Sequence, residues 1–281
     1  MRARVERPIG VFDSGLGGLT VVRALLRALP GERIAYLGDT ARLPYGSKSA
    51  DTVALYSLKA SHFLLGLDVK LLVVACNTAS AFALEILERE LPVPVLGAVG
   101  PGADEAVAAT KNGSIGVIGT LGTIRSGAYH RAVAARDPAL RVTELACPLL
   151  VPLVEEGWLG DGAPLEARAA ESIARRYLEE LHERAPDLDV LVLGCTHYPL
   201  LAPLLARLAA DIWDHEVKLV DSADAMARAA TRALDERHLR RTTPLDDATR
   251  LACYLTDEAR FREVGSRFLG RPLDLVEKVD L

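Results

Sequence analysis

The sequence predicts an α/β fold of two similar lobes, each built on a mostly parallel sheet flanked by helices. Three observations carry this. Short aliphatic runs alternate with longer helical patterns along the 281 residues. Several of the runs are apolar at successive positions, as strands covered by helices on both faces must be. One strand–glycine turn–helix segment occurs twice: IGVFDSGLGGLTVVRAL (9–25) is echoed by IGVIGTLGTIRSGAYHRAV (115–133).

The elements follow in order. PIGVFD (8–13) is the first strand and runs into a glycine turn. Leu19, Val22, Leu25, Leu26 and Leu29 then recur at helical spacing until Pro30-Gly31 stops the helix. RIAYLG (33–38), an amphipathic helix over 50–66, KLLVVA (70–75) and PVLGAV (94–99) complete the first series. The second series is SIGVIG (114–119), RVTELAC (141–147), an amphipathic helix over 165–184, DVLVLG (189–194) and VKLVD (217–221). Such alternation implies parallel pairing through helical crossovers. Candidate strands at 250–257 and 275–280 look like a return to an edge of the first sheet, and polar 235–249 reads as a linker. The lobes are therefore assigned to 1–98 plus 214–281 and to 99–213. They are expected to be related by a pseudo-twofold, with the active site in the cleft between them.

Composition narrows the class. Half the residues are apolar and 25% are charged, with a net charge of −5, as expected for a soluble globular protein. An acidic balance argues against nucleic acid or an anionic membrane as partner. No apolar run approaches the roughly 20 residues of a membrane span, and MRARVERPIG lacks the apolar core of a signal peptide. Four scattered cysteines are not a disulfide framework. A cytoplasmic protein with free thiols is expected.

The chemistry concentrates where two strands end. LLVVACNTAS (71–80) and LVLGCTHYPL (191–200) each carry an aliphatic run into a cysteine followed by small polar residues. In open α/β sheets, ligands bind outside the carboxyl ends of the strands, and Cys76 and Cys195 both fall there. A helix N-terminus beyond each would favour the thiolate. One such cysteine is readily explained by packing; two at matching places in a repeat are less so. A disulfide does not suit a reducing compartment. Metal ligation by Cys76, Cys195 and His197 is an alternative, without supporting C-x-x-C or H-x-x-x-H spacing. Acid–base work on opposite faces of one carbon needs two opposed groups with pKa values near neutrality, and thiols are close to that.

The neighbours suit this chemistry. His197 could exchange a proton with Cys195 or stabilise its thiolate, and Asp13 could do the same for Cys76. Asn77, Thr78 and Thr196 offer neutral hydrogen bonds to a carboxylate or ammonium group. Tyr45 and Gly46 lie in RLPYGSKS (42–49) and could close on a ligand by a hydroxyl and a backbone N–H, or form a plain turn. GVFDSGLGG lacks the G-x-G-x-x-G spacing of a dinucleotide site, although Asp39 lies near the usual acidic position. Asp13 and Ser14 would stand at the mouth of a site or simply cap the following helix. Cys147 and Cys253 read as packing.

Beyond single residues, an ordered set of segments carries a family likeness: FDSGLGGLTV (12–21), LPYGSKS (43–49), ACNTAS (75–80), GTLGT (119–123), VPLVEEG (151–157), GCTHYP (194–199) and VEKVDL (276–281). Together they resemble the bacterial glutamate racemases, which use no cofactor and make D-glutamate for peptidoglycan. The resemblance implies that Cys76 acts on D-glutamate and Cys195 on L-glutamate. It implies Asp13-Ser14, Tyr45-Gly46, Asn77-Thr78 and Thr196-His197 as substrate-binding pairs, with Thr120 and Thr123 on a carboxylate. Glu155, with Glu156 beside it, matches a glutamate that works with the histidine. A homodimer without metal is implied as well. His197 separates the pattern from the aspartate racemases, which usually carry an acidic residue there.

Overall fold

A computed structural model describes all residues except Met1, Gly162, Asp247, Ala248, Arg260, Asp274 and Leu275. The expected linker over 235–249 includes Asp247 and Ala248, and the expected strand over 275–280 includes Leu275; those positions lie outside the described residues. The strands are β1 Ile9–Asp13, β2 Ile34–Gly38, β3 Leu71–Val74, β4 Val95–Gly97, β5 Ser114–Gly119, β6 Arg141–Ala146, β7 Val190–Gly194, β8 Lys218–Asp221, β9 Leu251–Leu255 and β10 Val276–Lys278. The helices are α1 Arg2–Val5, α2 Leu19–Ala28, α3 Ala50–Gly66, α4 Asn77–Glu90, α5 Val99–Ala109, α6 Leu121–Ser126, α7 Ala128–Ala134, α8 Leu150–Glu156, α9 Pro164–Arg184, α10 Ala202–Ile212, α11 Ser222–Glu236 and α12 Phe261–Leu269. No described helix is long and apolar enough to cross a membrane.

The strands form two sheets whose pairings are parallel throughout. One has the order β10-β9-β2-β1-β3-β4 and the other β6-β5-β7-β8. Set β1–β4 against β5–β8 and the neighbour order is the same in both: second, first, third, fourth. The repeat in the sequence is thus a repeat in topology. β1, β2, β3, β5 and β7 are buried along their whole length, which is why they read as unbroken aliphatic runs rather than alternating ones. Helices supply the cover. α2 buries Leu19, Val22 and Leu25, and α9 buries Ala170, Ala174, Leu178 and Leu181 along one stripe. In the first sheet's core Phe12, Leu37, Leu64, Leu72, Val74 and Leu87 pack together.

The chain divides into two compact units, 1–98 with 223–281 and 99–222. The second boundary corrects the sequence reading, which gave everything from 214 onward to the first lobe. β8 pairs with β7, Val190 opposite Lys218 through Leu193 opposite Asp221, so the chain returns to the first unit only after Ser222. Sequence could not assign this strand, because either sheet had a free edge for it. β9 and β10 do extend the first sheet, beyond β2.

Glycine permits a close approach of neighbouring backbone at a strand end in each unit. A Cβ on Gly38, at the end of β2, would lie 2.4 Å from the Gly15 carbonyl oxygen, and one on Gly194, at the end of β7, 2.8 Å from the Ile118 carbonyl oxygen. At the opposite end of the first sheet, Lys70 precedes β3. Its ammonium lies 2.6 Å from the Glu32 carboxylate, with both side chains 1% exposed. It also donates to the carbonyls of Val5 at 2.7 Å and Leu239 at 2.9 Å. Burial lowers the Lys70 pKa and Glu32 works against that shift. Removing one member of such a pair strands a buried charge. Lys70→Met is therefore expected to cost about 3–5 kcal/mol in urea unfolding; an unchanged midpoint would contradict this.

Candidate active site

In the first unit the site begins with Asp13, the last residue of β1. Its carboxylate is 1% exposed and accepts from the Gly15 N–H at 3.0 Å. Asp13 and Ser14 do not cap α2: the N-cap position is Gly18, with no side-chain cap bond. That side of the choice left open by the sequence is therefore set aside. The turn is instead held from β2, where the Tyr36 hydroxyl donates to the Gly15 carbonyl at 2.7 Å.

Next to β1 in the sheet, β3 leads to Cys76, which caps α4. Its sulfur accepts from the Ala79 N–H at 3.5 Å, and its thiol lies 3.5 Å from the Ser14 hydroxyl as donor. A sulfur receiving an N–H at a helix start is in the setting that stabilises a thiolate. Asn77 and Thr78 form the first turn of α4 and are each 2% exposed. Tyr45 lies in the loop after β2. Its ring packs against Phe12 and Tyr56, and its hydroxyl donates to Asp39 at 2.6 Å. Gly46 is the half-buried residue that follows.

The second unit repeats the plan with different chemistry. β5 ends before Thr120, which caps α6: its hydroxyl accepts from the Thr123 N–H at 3.4 Å and lies 3.0 Å from the Thr123 hydroxyl. The neighbouring β7 leads to Cys195, Thr196 and His197, all buried. Cys195 does not cap a helix, contrary to the symmetric expectation. Pro199 falls in a four-residue 3-10 turn, Tyr198–Leu201, and α10 begins only at Ala202. The sulfur faces His197 Nδ1 at 3.9 Å instead.

His197 Nε2 lies 3.0 Å from Glu155 Oε1 on α8, and the Thr196 hydroxyl lies 3.5 Å from Nδ1. Burial disfavours the imidazolium, but the hydrogen bonds to Cys195 and Glu155 outweigh it and raise the His197 pKa to about 10. The upward shift favours the protonated imidazole, whose two N–H groups can donate, Nδ1 toward the sulfur and Nε2 toward the carboxylate. Between Glu155 and Glu156, it is Glu155 whose carboxylate meets the imidazole.

The remaining thiols are held neutral. Burial pushes both Cys147 and Cys253 up, the latter to about 12. Among the described residues, no group of three or more His, Cys, Asp or Glu side chains is placed to hold a metal ion. The sequence reading did not assign Asp39 and Thr256. Their only advance signal was an aspartate just past the carboxyl end of a buried strand.

Comparison with known proteins finds relatives that match nearly the whole chain. The family model for Asp/Glu/hydantoin racemases matches residues 9–230. A glutamate racemase of Syntrophus aciditrophicus is 50% identical over 275 residues, covering 98% of this chain and 97% of that one. Among solved structures, the Francisella tularensis glutamate racemase in complex with D-glutamate superposes with a TM-score of 0.86 at 36% identity, over 98% of each chain. The Thermus thermophilus glutamate racemase in complex with β-chloro-D-alanine gives a TM-score of 0.82 at 42% identity, over 99% of this chain and 98% of that one. Two parallel sheets flanked by helices, with relatives of this kind along the whole chain, define an amino-acid racemase. The chain belongs to the Asp/Glu/hydantoin racemase family.

The His197 geometry makes a pH prediction. The folded pKa stands above the unbound value of 6.5. The histidine's interactions therefore stabilise the fold fully below about pH 6.5 and are lost as pH rises through about 10. An NMR titration of the His197 ring should show one transition near 10, displaced downward in Glu155→Gln. A wild-type transition near 6.5 would refute the assignment.

Proposed function

We propose that the protein interconverts L- and D-glutamate without a cofactor, using Cys76 and Cys195 as acid and base on opposite faces of the α-carbon. One observation carries this reading. In each sheet, the strand beside the glycine-turn strand ends at a buried cysteine with polar company, β3 at Cys76 and β7 at Cys195. The names of the relatives, one of them bound to D-glutamate, support glutamate as substrate.

The chemistry follows from the groups present. One thiolate removes the α-proton while the opposed thiol delivers a proton to the other face. Cys76 serves D-glutamate and Cys195 serves L-glutamate. His197, cationic and braced by Glu155, stabilises negative charge on the Cys195 sulfur. Asp13 and Ser14 serve the Cys76 side with a carboxylate and a hydroxyl. The carbanion that develops must be delocalised into the α-carboxylate, and hydrogen bonds there lower the barrier. Asn77, Thr78 and Thr196 are assigned to that end. Tyr45-Gly46, Thr120 and Thr123 are assigned to the rest of the substrate, including its second carboxylate. The product would feed peptidoglycan, and the enzyme would work in the cytoplasm as a homodimer; these follow from the family resemblance.

Purified protein given L-glutamate and no additive should bring the optical rotation to zero. A rotation that does not decay would overturn the reading, as would faster turnover of aspartate than of glutamate. Cys76→Ser and Cys195→Ser should each lower kcat by about 10²-fold or more, the usual contribution of a positioned acid or base. Near-normal turnover in either would reject the two-thiol mechanism.

A further inference from the structure

A buried carboxylate in the first unit has no part in the chemistry above. Asp39 follows β2 and is 0% exposed. Three donors from two parts of the chain converge on it. The Tyr45 hydroxyl donates at 2.6 Å and the Thr256 hydroxyl at 3.0 Å. The Arg42 guanidinium stands 3.5 Å away. The Asp39 backbone N–H donates to the Asp13 carbonyl at 3.0 Å, tying Asp39 to the end of β1. Thr256 lies just past β9 and also accepts from the Ala41 N–H at 2.8 Å. Arg42 lies over the Tyr56 ring, 5.1 Å from its centre, and that ring packs against Tyr45.

This arrangement decides what the Tyr45 hydroxyl can do. A phenol has one proton to donate, and this one goes to the buried Asp39 side chain. Burial raises the phenol's pKa, and Asp39 raises it further, so the proton stays on Tyr45. The side chain is 1% exposed. The hydroxyl's one proton is therefore already committed to Asp39. The loop is held by a 2.6 Å hydrogen bond to a carboxyl group just past β2.

We propose that Asp39 is a positioning residue: through the Tyr45 hydroxyl and Thr256 it fixes the Tyr45-Gly46 loop, and Tyr45 serves binding as an anchor of that loop and not by its hydroxyl. The proposal rests on the reading above in one respect, that this loop binds the substrate. The return of the chain to the first sheet then has a functional consequence. β9 brings Thr256 to a loop more than two hundred residues earlier and helps set it.

The test has two readouts. Tyr45→Phe and Asp39→Asn should each raise KM for glutamate about tenfold with kcat within about threefold, as expected when a binding contact common to ground and transition states is loosened. The double variant should be no worse than the poorer single one, because both break the same bond. Thr256→Val, a gentler change, should show the same KM effect at about two- to threefold. Additive losses, or a fall in kcat at unchanged KM in Tyr45→Phe, would overturn the proposal. Hydrogen–deuterium exchange needs no turnover. Exchange in the segment 41–48 should quicken in all three variants, with the segment 76–90 unchanged. Unaltered exchange in 41–48 would also overturn the proposal. Wild-type protein inactive on glutamate would fail the functional reading alone, because the exchange result stands without it.

Discussion

A buried parallel strand can place a reactive side chain only where it stops. Along β3 and β7 every position is enclosed, so no polar group can stand there without losing its hydration. At the carboxyl end the hydrogen-bonding ladder gives way to a turn, and a side chain can keep polar partners while its backbone stays anchored. Cys76 and Cys195 occupy that position. Much else in the two units answers to it: glycines that let neighbouring strand ends approach, capped helices close behind, and carboxylates or threonines at the ends of the adjacent strands.

The duplication is faithful in topology and broken in chemistry. Both sheets place the thiol strand beside the strand that carries the glycine turn. Yet Cys76 takes an N–H from the first turn of α4 and neighbours a hydroxyl, whereas Cys195 faces a buried histidine backed by a carboxylate. The polar company of the two sulfurs thus differs: a helix start on one side, a histidine on the other. The second brings an imidazole to the sulfur, so the surroundings of the two thiols are not equivalent even on a duplicated frame.

The strands were legible in the sequence because parallel strands buried on both faces have no polar positions to blur them. PIGVFD, KLLVVA and DVLVLG coincide with β1, β3 and β7 to within a residue at either end. The repeat and the two cysteines were legible for the same reason, since polar residues at the end of an aliphatic run stand out. Partnership over long sequence distance was not. Nothing local told VKLVD that its neighbour was β7 and not a strand of the first sheet. Nothing in GCTHYP revealed that Pro199 would delay the helix and leave Cys195 to His197. The sequence left Tyr45-Gly46 open between a ligand loop and a plain turn, because Asp39, the acceptor of the Tyr45 hydroxyl, becomes visible as a hub only once Thr256 arrives from β9.

The central claim is that two separate groups handle the substrate's α-proton. The most direct measurement is the isotope content of each enantiomer at low conversion of L-glutamate in D₂O. Two bases predict D-glutamate fully deuterated at the α-carbon while the remaining L-glutamate still carries protium there. D-glutamate that retains the substrate's own hydrogen would mean that one group carries it from face to face, and the two-thiol account would be wrong.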